Sequence, residues 1–496
     1  MFEFRAIALA AAFVVSGCSL APTFEQPKVE MPDGFKQAAL ALPEEERGSW
    51  KPAEPAEAQP RGEWWKVFGD PVLDRLIAEA TQGSPALAAA AARVTQSRAM
   101  LGITSSEGRF QASAGFGPVN QRPSPGSLGL PPGTDLSSRT LWRAPAIASY
   151  EVDLFGRIKD RVAAARKDLA GQEAVYRSLE LALQADIART YFEVREADRD
   201  IVLLMEAVRV RKATRDLLAA RLAAGAVGEF DVSRATAEVA LAQSELEAAR
   251  GRRDRLETAL AVLAGRPPSA VSVAMTATDR RVPAIPAGLP SSLLERRPDI
   301  AAAQTALEAA NKRIGVAKSA FFPSITLSGF GGFEAESLGD VFRWSSRTWL
   351  LGPFIGSIVS VPIFDGGRNR AGLEKAKAEY EEAVARYRQQ VLVAFGDVED
   401  SLAGLRSLDA QSRAVGIAVD AARRAGRIAQ ARFDAGAVSY LEVLDVQRTQ
   451  LDAEREANRV AGQQVLGTVA LIRALGGGWG EPAKAAETTP EKVSAR

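Results

Sequence analysis

Arg221-Leu-Ala-Ala-Gly225-Ala-Val-Gly-Glu-Phe-Asp231-Val232 returns, with small changes, as Arg432-Phe-Asp-Ala-Gly436-Ala-Val-Ser-Tyr-Leu-Glu442-Val443. The copies lie 211 positions apart (432 minus 221) and agree at Arg, Gly-Ala-Val and the acid-Val pair. Each sits between two long runs of helical periodicity, so each reads as the turn of a hairpin. Glycine suits the left-handed residue that ends a helix. A repeat of this length points to an array or symmetric assembly in which each half supplies one structural unit. It points away from a compact enzyme built around one pocket.

The runs on either side of the turns carry the architecture. Gly156 to Ala224 contains no proline, and its roughly 68 residues at about 1.5 Å each extend roughly 100 Å as a helix. Apolar residues recur by sevens at Val162, Leu169, Tyr176 and Leu183, then resume four residues on at Ile187, Val194, Ile201 and Val208. Val384, Val391, Val398 and Leu405 repeat the spacing in the second half. This is coiled-coil spacing, with a local change of supercoil at the four-residue offset. The returning helices run to about Leu263 and Leu475.

Upstream of each long run stands a shorter helix and a pair of strands. Asp70-Pro71 reads as an N-cap and first helical residue. Ser84-Pro85 opens an Ala-rich helix to about Thr104, matched by Arg297-Pro298-Asp299-Ile300 running to about Ala320. Strands are expected at Gln111–Val119 and Trp142–Leu154, around a Pro/Gly-rich loop, and at about 323–332 and 354–364. Each is about ten residues, the length of a tilted strand crossing a bilayer core, or of an ordinary soluble hairpin. If they span a membrane, four strands per chain leave edges that cannot face lipid, so the chain must oligomerise. Two copies give eight strands, too narrow for a duct, and three give twelve; physical argument allows either even number.

The N-terminus reads as an export signal. Arg5 precedes an apolar stretch, Ala6 to Val15, too short to span a bilayer stably. Val15-Ser16-Gly17-Cys18 resembles a bacterial lipobox, which makes Cys18 the lipidation site; a plain signal peptide with an incidental cysteine is the alternative. Ser19, not Asp, follows, which favours the outer membrane. Pro22, Pro27, Pro32, Pro43, Pro52, Pro55 and Pro60 make an extended tether. The organisation expected is therefore signal peptide 1–17, lipidated Cys and tether 18–63, first repeat 64–290 with hairpin 156–265, second repeat 291–477 with hairpin 367–475, and a disordered tail 478–496.

Composition excludes several chemistries. The 496 residues include no histidine and one cysteine, with a net charge of +1. The commonest general base and metal ligand are thus absent, and neither a disulfide within the chain nor a thiolate cluster is possible. No basic patch suggests nucleic acid, and no phosphate-cradling glycine loop is present. No catalytic residues, metal or cofactor are expected beyond the lipid on Cys18.

Several motifs together resemble one family. They are Trp65-x-x-Phe68-x-Asp70-Pro71-x-Leu73-x-x-Leu76-Ile77, Arg296-Arg297-Pro298-Asp299-Ile300, Phe322-Pro323-x-Ile325-x-Leu327 and Ile363-Phe364-Asp365-Gly366-Gly367-Arg368, after Gly17-Cys18-Ser19-Leu20-Ala21-Pro22. Over about residues 18 to 477 the chain resembles the TolC-like outer membrane factors, in particular the NodT/OprM-type efflux lipoproteins. The resemblance implies a mainly α fold with a membrane β part: a homotrimer with a twelve-stranded transmembrane β-barrel continued by a twelve-helix periplasmic α-barrel. It implies an outer membrane exit duct of a tripartite efflux system, anchored among outer membrane lipids. The implied partners are a periplasmic adaptor and an inner-membrane pump of the RND type. The alternative within the class is the duct of a type I protein secretion system. A periplasmic adaptor, with one hairpin, and a porin, with many short strands, fit the pattern poorly.

The resemblance also assigns sites. The tips Gly225, Ala226, Val227, Gly228 and Gly436, Ala437, Val438, Ser439 match the adaptor-contact motif, though small residues there also simply make a tight turn. Leu441, Glu442, Asp445 and Arg448 match the periplasmic constriction. Rings of carboxylates there would repel anions. Ser439-x-x-Glu442 is also a capping box, and Arg448 stands three residues from Asp445, within pairing distance on a helix. In the first half Asp231 matches Glu442, but Arg234 stands where Asp445 does. The first hairpin is thus a doubtful source of carboxylates, or a source of a positive partner.

Overall fold

The computed structural model describes residues 19–29, 63–276, 297–351 and 358–477. Cys18, the tether from 30 to 62, the linker that includes Arg296, and residues 478–496 lie outside the described residues. The chain is mainly helical. Its helices are α1 (Pro71–Gly83), α2 (Pro85–Ser106), α3 (Arg157–Ala223), α4 (Glu229–Leu263), α5 (Pro298–Ser319), α6 (Arg368–Asp434) and α7 (Tyr440–Ala474). The repeat is kept in length: α2 and α5 have 22 residues each, α3 and α6 have 67, and α4 and α7 have 35. Among the described residues no helix is long and apolar enough to cross a membrane.

The chain divides into two compact units, and each draws on both halves of the repeat. One comprises residues 1–28, 93–173 and 302–388; the other comprises 29–92, 174–301 and 389–496.

The first unit holds an antiparallel sheet of β1 (Gln111–Ala114), β2 (Gly117–Gln121), β3 (Arg139–Val152), β4 (Ser324–Ala335), β5 (Arg347–Leu351) and β6 (Val359–Ser360). β1 and β2 occupy one strand position beside β3, in unbroken register from Gln111 opposite Ser149 to Gln121 opposite Arg139. The interruption falls opposite Pro145, whose carbonyl accepts from Gly115 N at 2.9 Å but which has no N–H to return. β3 and β4 pair from Trp142–Ala335 to Val152–Ile325. A Cβ on Gly332 would meet the Ala144 carbonyl, so glycine permits this approach beside Pro145.

The expected strands have different bounds in the structure: the first is split into β1 and β2 and runs to Gln121, the third (β4) runs to Ala335, and β5 at Arg347–Leu351 lies outside every expected strand. β3 begins three residues before Trp142 and stops at Val152, because Asp153 turns to cap α3: its carboxylate accepts from Ile158 N at 3.1 Å and Lys159 N at 2.7 Å. In the expected strand 354–364, residues 354–357 lie outside the described residues. Val359–Ser360 pairs with β4, while Ile363 and Phe364 are unpaired and almost fully exposed. Asp365 then leads into α6 as Asp153 leads into α3, accepting from Gly367 N and Asn369 N at 2.9 Å each.

The second unit is built on the resumed heptad. Ile187, Val194, Ile201 and Val208 are buried at 7% exposure or less. Ile187 and Val194 join Trp64, Trp65, Leu73, Ile77, Tyr191, Leu260, Val465 and Ile472 in the main core. Asp70 caps α1 through Val72 N and Leu73 N, and its other oxygen accepts from Tyr191 Oη at 2.5 Å, tying α1 to α3. The earlier heptad positions, Val162 and Leu169, are half-buried.

Candidate functional site: hairpin tips and a two-faced sheet

Both tips form by the same device. Gly225 (φ 72°) and Gly436 (φ 73°) are left-handed. Gly225 N donates to Leu222 O and Ala226 N to Arg221 O; Gly436 N donates to Phe433 O and Ala437 N to Arg432 O. These satisfy carbonyls that the helix end would otherwise orphan. Gly225, Ala226, Gly228, Gly436, Ala437 and Ser439 are exposed. Val227 and Val438 instead turn inward against a small core of Leu218, Ala235, Phe433, Tyr440, Val443 and Leu444, which packs the two tips together. Phe230, at the position matching Leu441, is 73% exposed, and Leu441 is 50% exposed. Only Leu441 was expected here from motif, although the 211-residue offset marks Phe230 as its counterpart.

The four residues expected at the constriction, Leu441, Glu442, Asp445 and Arg448, are only partly brought together. The Ser439 side chain makes no capping bond at the start of α7, so the expected capping box does not form. Glu442 instead accepts from Arg432 Nη1 at 3.1 Å, across the turn. Asp445 is exposed and its carboxylate has no partner among the described residues. Arg448 does not pair with Asp445. It reaches Glu238 on α4, which also lies 3.8 Å from Arg211 on α3. Glu238 and Arg211 are buried, so two guanidinium groups share one buried carboxylate. Beside them the Tyr440 hydroxyl is buried without a partner among the described residues. Burial, and then the Glu238 charge, push it above the usual tyrosine range. Arg234 contributes to the field at Tyr440. One heptad beyond Arg448, Arg455 grips Asp200 at 2.8 and 3.1 Å and Glu245 at 3.4 Å. α7 is thus tied to the first hairpin by arginines spaced as the coiled coil requires.

In the sheet, the register sorts side chains onto two faces. One carries Gln111, Ser113, Arg143, Ser149, Ser328 and Glu334, with Ile147 and Phe330 among them. The other carries Ala112, Ala114, Ala144, Ala146, Ala148, Gly329, Gly331 and Leu327. Aromatic rings bracket this apolar face. Phe116 stacks on Trp142 (5.8 Å) and Phe342 (6.1 Å), and Phe333 meets Phe342 (5.8 Å). Tyr150 lies eight residues along β3 from Trp142, about 26 Å at roughly 3.3 Å per residue, which rises about 20 Å in a strand tilted by about 40°. An outer-membrane strand presents an apolar band of about 25 Å between aromatic girdles. Arg143 Nε lies 2.7 Å from Glu334 as an ion contact without an aligned hydrogen bond, while its Nη2 donates to Gln121 at 3.1 Å.

In the same unit the segment Ser19–Lys28 is seated by buried groups. Ser19 Oγ donates to Asp160 at 2.6 Å, Asn311 Nδ2 donates to the Pro22 carbonyl at 2.9 Å, and Gln26 Nε2 donates to Tyr387 Oη at 2.8 Å. A Cβ on Gly315 would strike Ala21.

The outer membrane efflux protein family model matches this chain twice, at residues 76–266 and 289–477. The outer membrane protein OprJ of Pseudomonas aeruginosa is 31% identical over 483 residues, covering 96% of each chain. The toluene efflux pump outer membrane protein TtgI of Pseudomonas putida is 33% identical over 483 residues, 96% of this chain and 99% of its own. The crystal structure of the Campylobacter jejuni CmeC outer membrane channel superposes with a TM-score of 0.82 at 25% identity, over 93% of this chain and 95% of that one.

Proposed function

This chain belongs to the outer membrane efflux protein family, and on that premise we propose that three copies form the exit duct of a tripartite efflux system. The duct passes small molecules from an inner-membrane pump of the RND type, through a periplasmic adaptor, across the outer membrane. The observation that carries this is the two-faced sheet: polar on one side, apolar and aromatic-bracketed on the other, with edges left open among the described residues. Open edges in lipid leave backbone groups unsatisfied, which favours closure with further copies. Four strand positions per chain give twelve in a trimer. The polar face then lines a water-filled lumen. The 67-residue helices α3 and α6 supply the α-barrel, with the half-buried early heptad positions Val162 and Leu169 of α3 turned to neighbouring copies.

A relative named for toluene efflux favours small molecules over secreted protein as cargo. Cys18 is the lipid anchor in this reading. Ser19 is held at the first turn of α3, soon after β3 ends, and this would set an acyl chain on the preceding residue beside the membrane band. The exposed tips receive the adaptor. Glu442 and Asp445 of three copies form the periplasmic constriction, and Arg448, held by Glu238, braces α7 behind it.

Planar-bilayer conductance of the purified trimer tests this reading. Wild type is expected to give small, cation-selective currents that rise when Glu442→Ala and Asp445→Ala are combined. No channel from protein of trimeric mass would overturn the duct. Unchanged currents in the double variant would move the gate away from these carboxylates.

A further inference from the structure

β3 enters the sheet at Arg139 and leaves it toward α3, so Arg139 and Arg143 stand at the end of the strand remote from the helices. Arg143 is opposite Glu334 in register, and Arg139 reaches Glu336 at 3.1 Å. Arg139, Arg143 and Glu334 share the polar face by register, Glu336 follows the last residue of β4, and Trp142 and Phe333 stand at the same end of the sheet on the opposite face. Toward the helices, β3 and β4 put only neutral groups on this face (Pro145, Ile147, Ser149, Phe330, Ser328) until Glu151, which is itself paired with Arg157 at 2.7 Å. Charge on the face is therefore gathered at discrete levels, each balanced by its opposite. Serine and threonine would suffice to wet a lumen; paired ions at one level add a controllable field.

We propose that Arg143 and Glu334, backed by Arg139 and Glu336, form a charge-balanced belt around the outward mouth of the duct and set its charge selectivity. This rests on the reading of the polar face as the lumen. Balanced, the belt offers neither sign a barrier, so cationic and anionic amphiphiles leave with equal ease. With one acid removed, three copies leave an uncompensated ring of positive charge facing the permeating solute. The Debye length is about 10 Å at 0.1 M salt and about 3 Å at 1 M. Such a ring therefore acts across the lumen in dilute salt and fades in concentrated salt. Arg143 and Glu334, with side chains 28% and 31% exposed, are less screened than Arg139 and Glu336 at 45% and 65%. The inner pair therefore carries the larger effect.

The test is the chloride-to-potassium permeability ratio of the full-length trimer in planar bilayers under a KCl gradient. It is made in the Glu442→Ala, Asp445→Ala background, so that the periplasmic carboxylates do not dominate. Glu334→Gln is expected to raise the ratio about two- to five-fold near 0.1 M KCl and Arg143→Gln to lower it comparably, both changes vanishing at 1 M. The exchange of Arg143→Glu with Glu334→Arg is expected to restore the parent ratio. If the parent forms no channel, the duct reading itself fails. If the parent conducts but the two single variants leave the ratio unchanged, or move it in the same direction, the belt has no filtering role and the pair only joins β3 to β4. Heat-resistant trimer on gels confirms that each variant has assembled.

Discussion

Glu238→Gln is the substitution to which the hairpin tips should respond most strongly. The Glu238 side chain is 7% exposed and that of Arg211 8%, with charged atoms 3.8 Å apart. At an effective dielectric of about 20, unit charges at 3.8 Å attract by about 4 kcal/mol. The Arg448 side chain is 47% exposed, so water screens its contact with Glu238 and its share is below about 1 kcal/mol. Neutralising Glu238 strands Arg211 in a buried site, and breaking a buried pair from one side costs roughly 3–5 kcal/mol. The glutamine amide oxygen still accepts a hydrogen bond, so about 3 kcal/mol is expected. At about 1.4 kcal/mol per decade this is on the order of a hundred-fold in local opening. Hydrogen exchange of the assembled protein reads it directly: amides around Glu238 in α4 and Arg448 in α7 should exchange that much faster. Arg448→Ala should change them less than about five-fold. Protection unaltered in Glu238→Gln, or an Arg448→Ala effect as large, would refute the assignment of Glu238 as the buried centre of the cluster.

Two further outcomes follow from the same geometry. Burial works to raise the Asp299 carboxyl, but the hydrogen bonds and charge of Arg297 outweigh it and hold the group below its ordinary range. A depressed folded-state value stabilises above the unfolded value of about 3.9 and is lost as pH falls through the folded one. Asp299→Asn should therefore cost about 1.5–3 kcal/mol near pH 7, with the gap between the two thermal-unfolding curves closing below about pH 4; a gap constant to pH 3 would contradict it. Gly332→Ala should abolish heat-resistant assembled protein in the outer membrane fraction, because its Cβ meets backbone atoms, the Ala144 carbonyl and Pro145 Cα, that cannot yield. Gly331→Ala, with nothing within 4 Å, should assemble normally.

Features that depend on neighbours in sequence were legible in the order of residues. The two Gly-Ala-Val turns had to be helix ends because only glycine takes the left-handed residue there without strain. Proline-free heptad runs had to be long helices, and Asp70-Pro71 had to begin one. Three strand positions were legible as period-two segments, but their ends were not, and β5 at Arg347–Leu351 was not among the expected strands. Asp153 can end a strand or cap a helix, and only the position of α3 makes it a cap. The gap between β1 and β2 belongs to Pro145, thirty residues away on the partner strand.

The candidate site divides in the same way. The residues at and just past the two turns were singled out by motif, and their partners in space were not. From sequence, Arg448 has Asp445 three residues away and Ser439 has Glu442; in the structure Arg448 reaches Glu238, 210 positions distant, and Glu442 turns to Arg432. A flexible guanidinium takes the least solvated carboxylate within reach, and which carboxylate is desolvated is decided by the packing of helices against one another. The amino-acid order alone determined the repeat, the helices, the turns and the alternation of the strands, all of which rest on steric and periodic rules acting over a few residues. Burial, and with it every choice among competing charge partners, was decided only when segments from both halves of the chain came together.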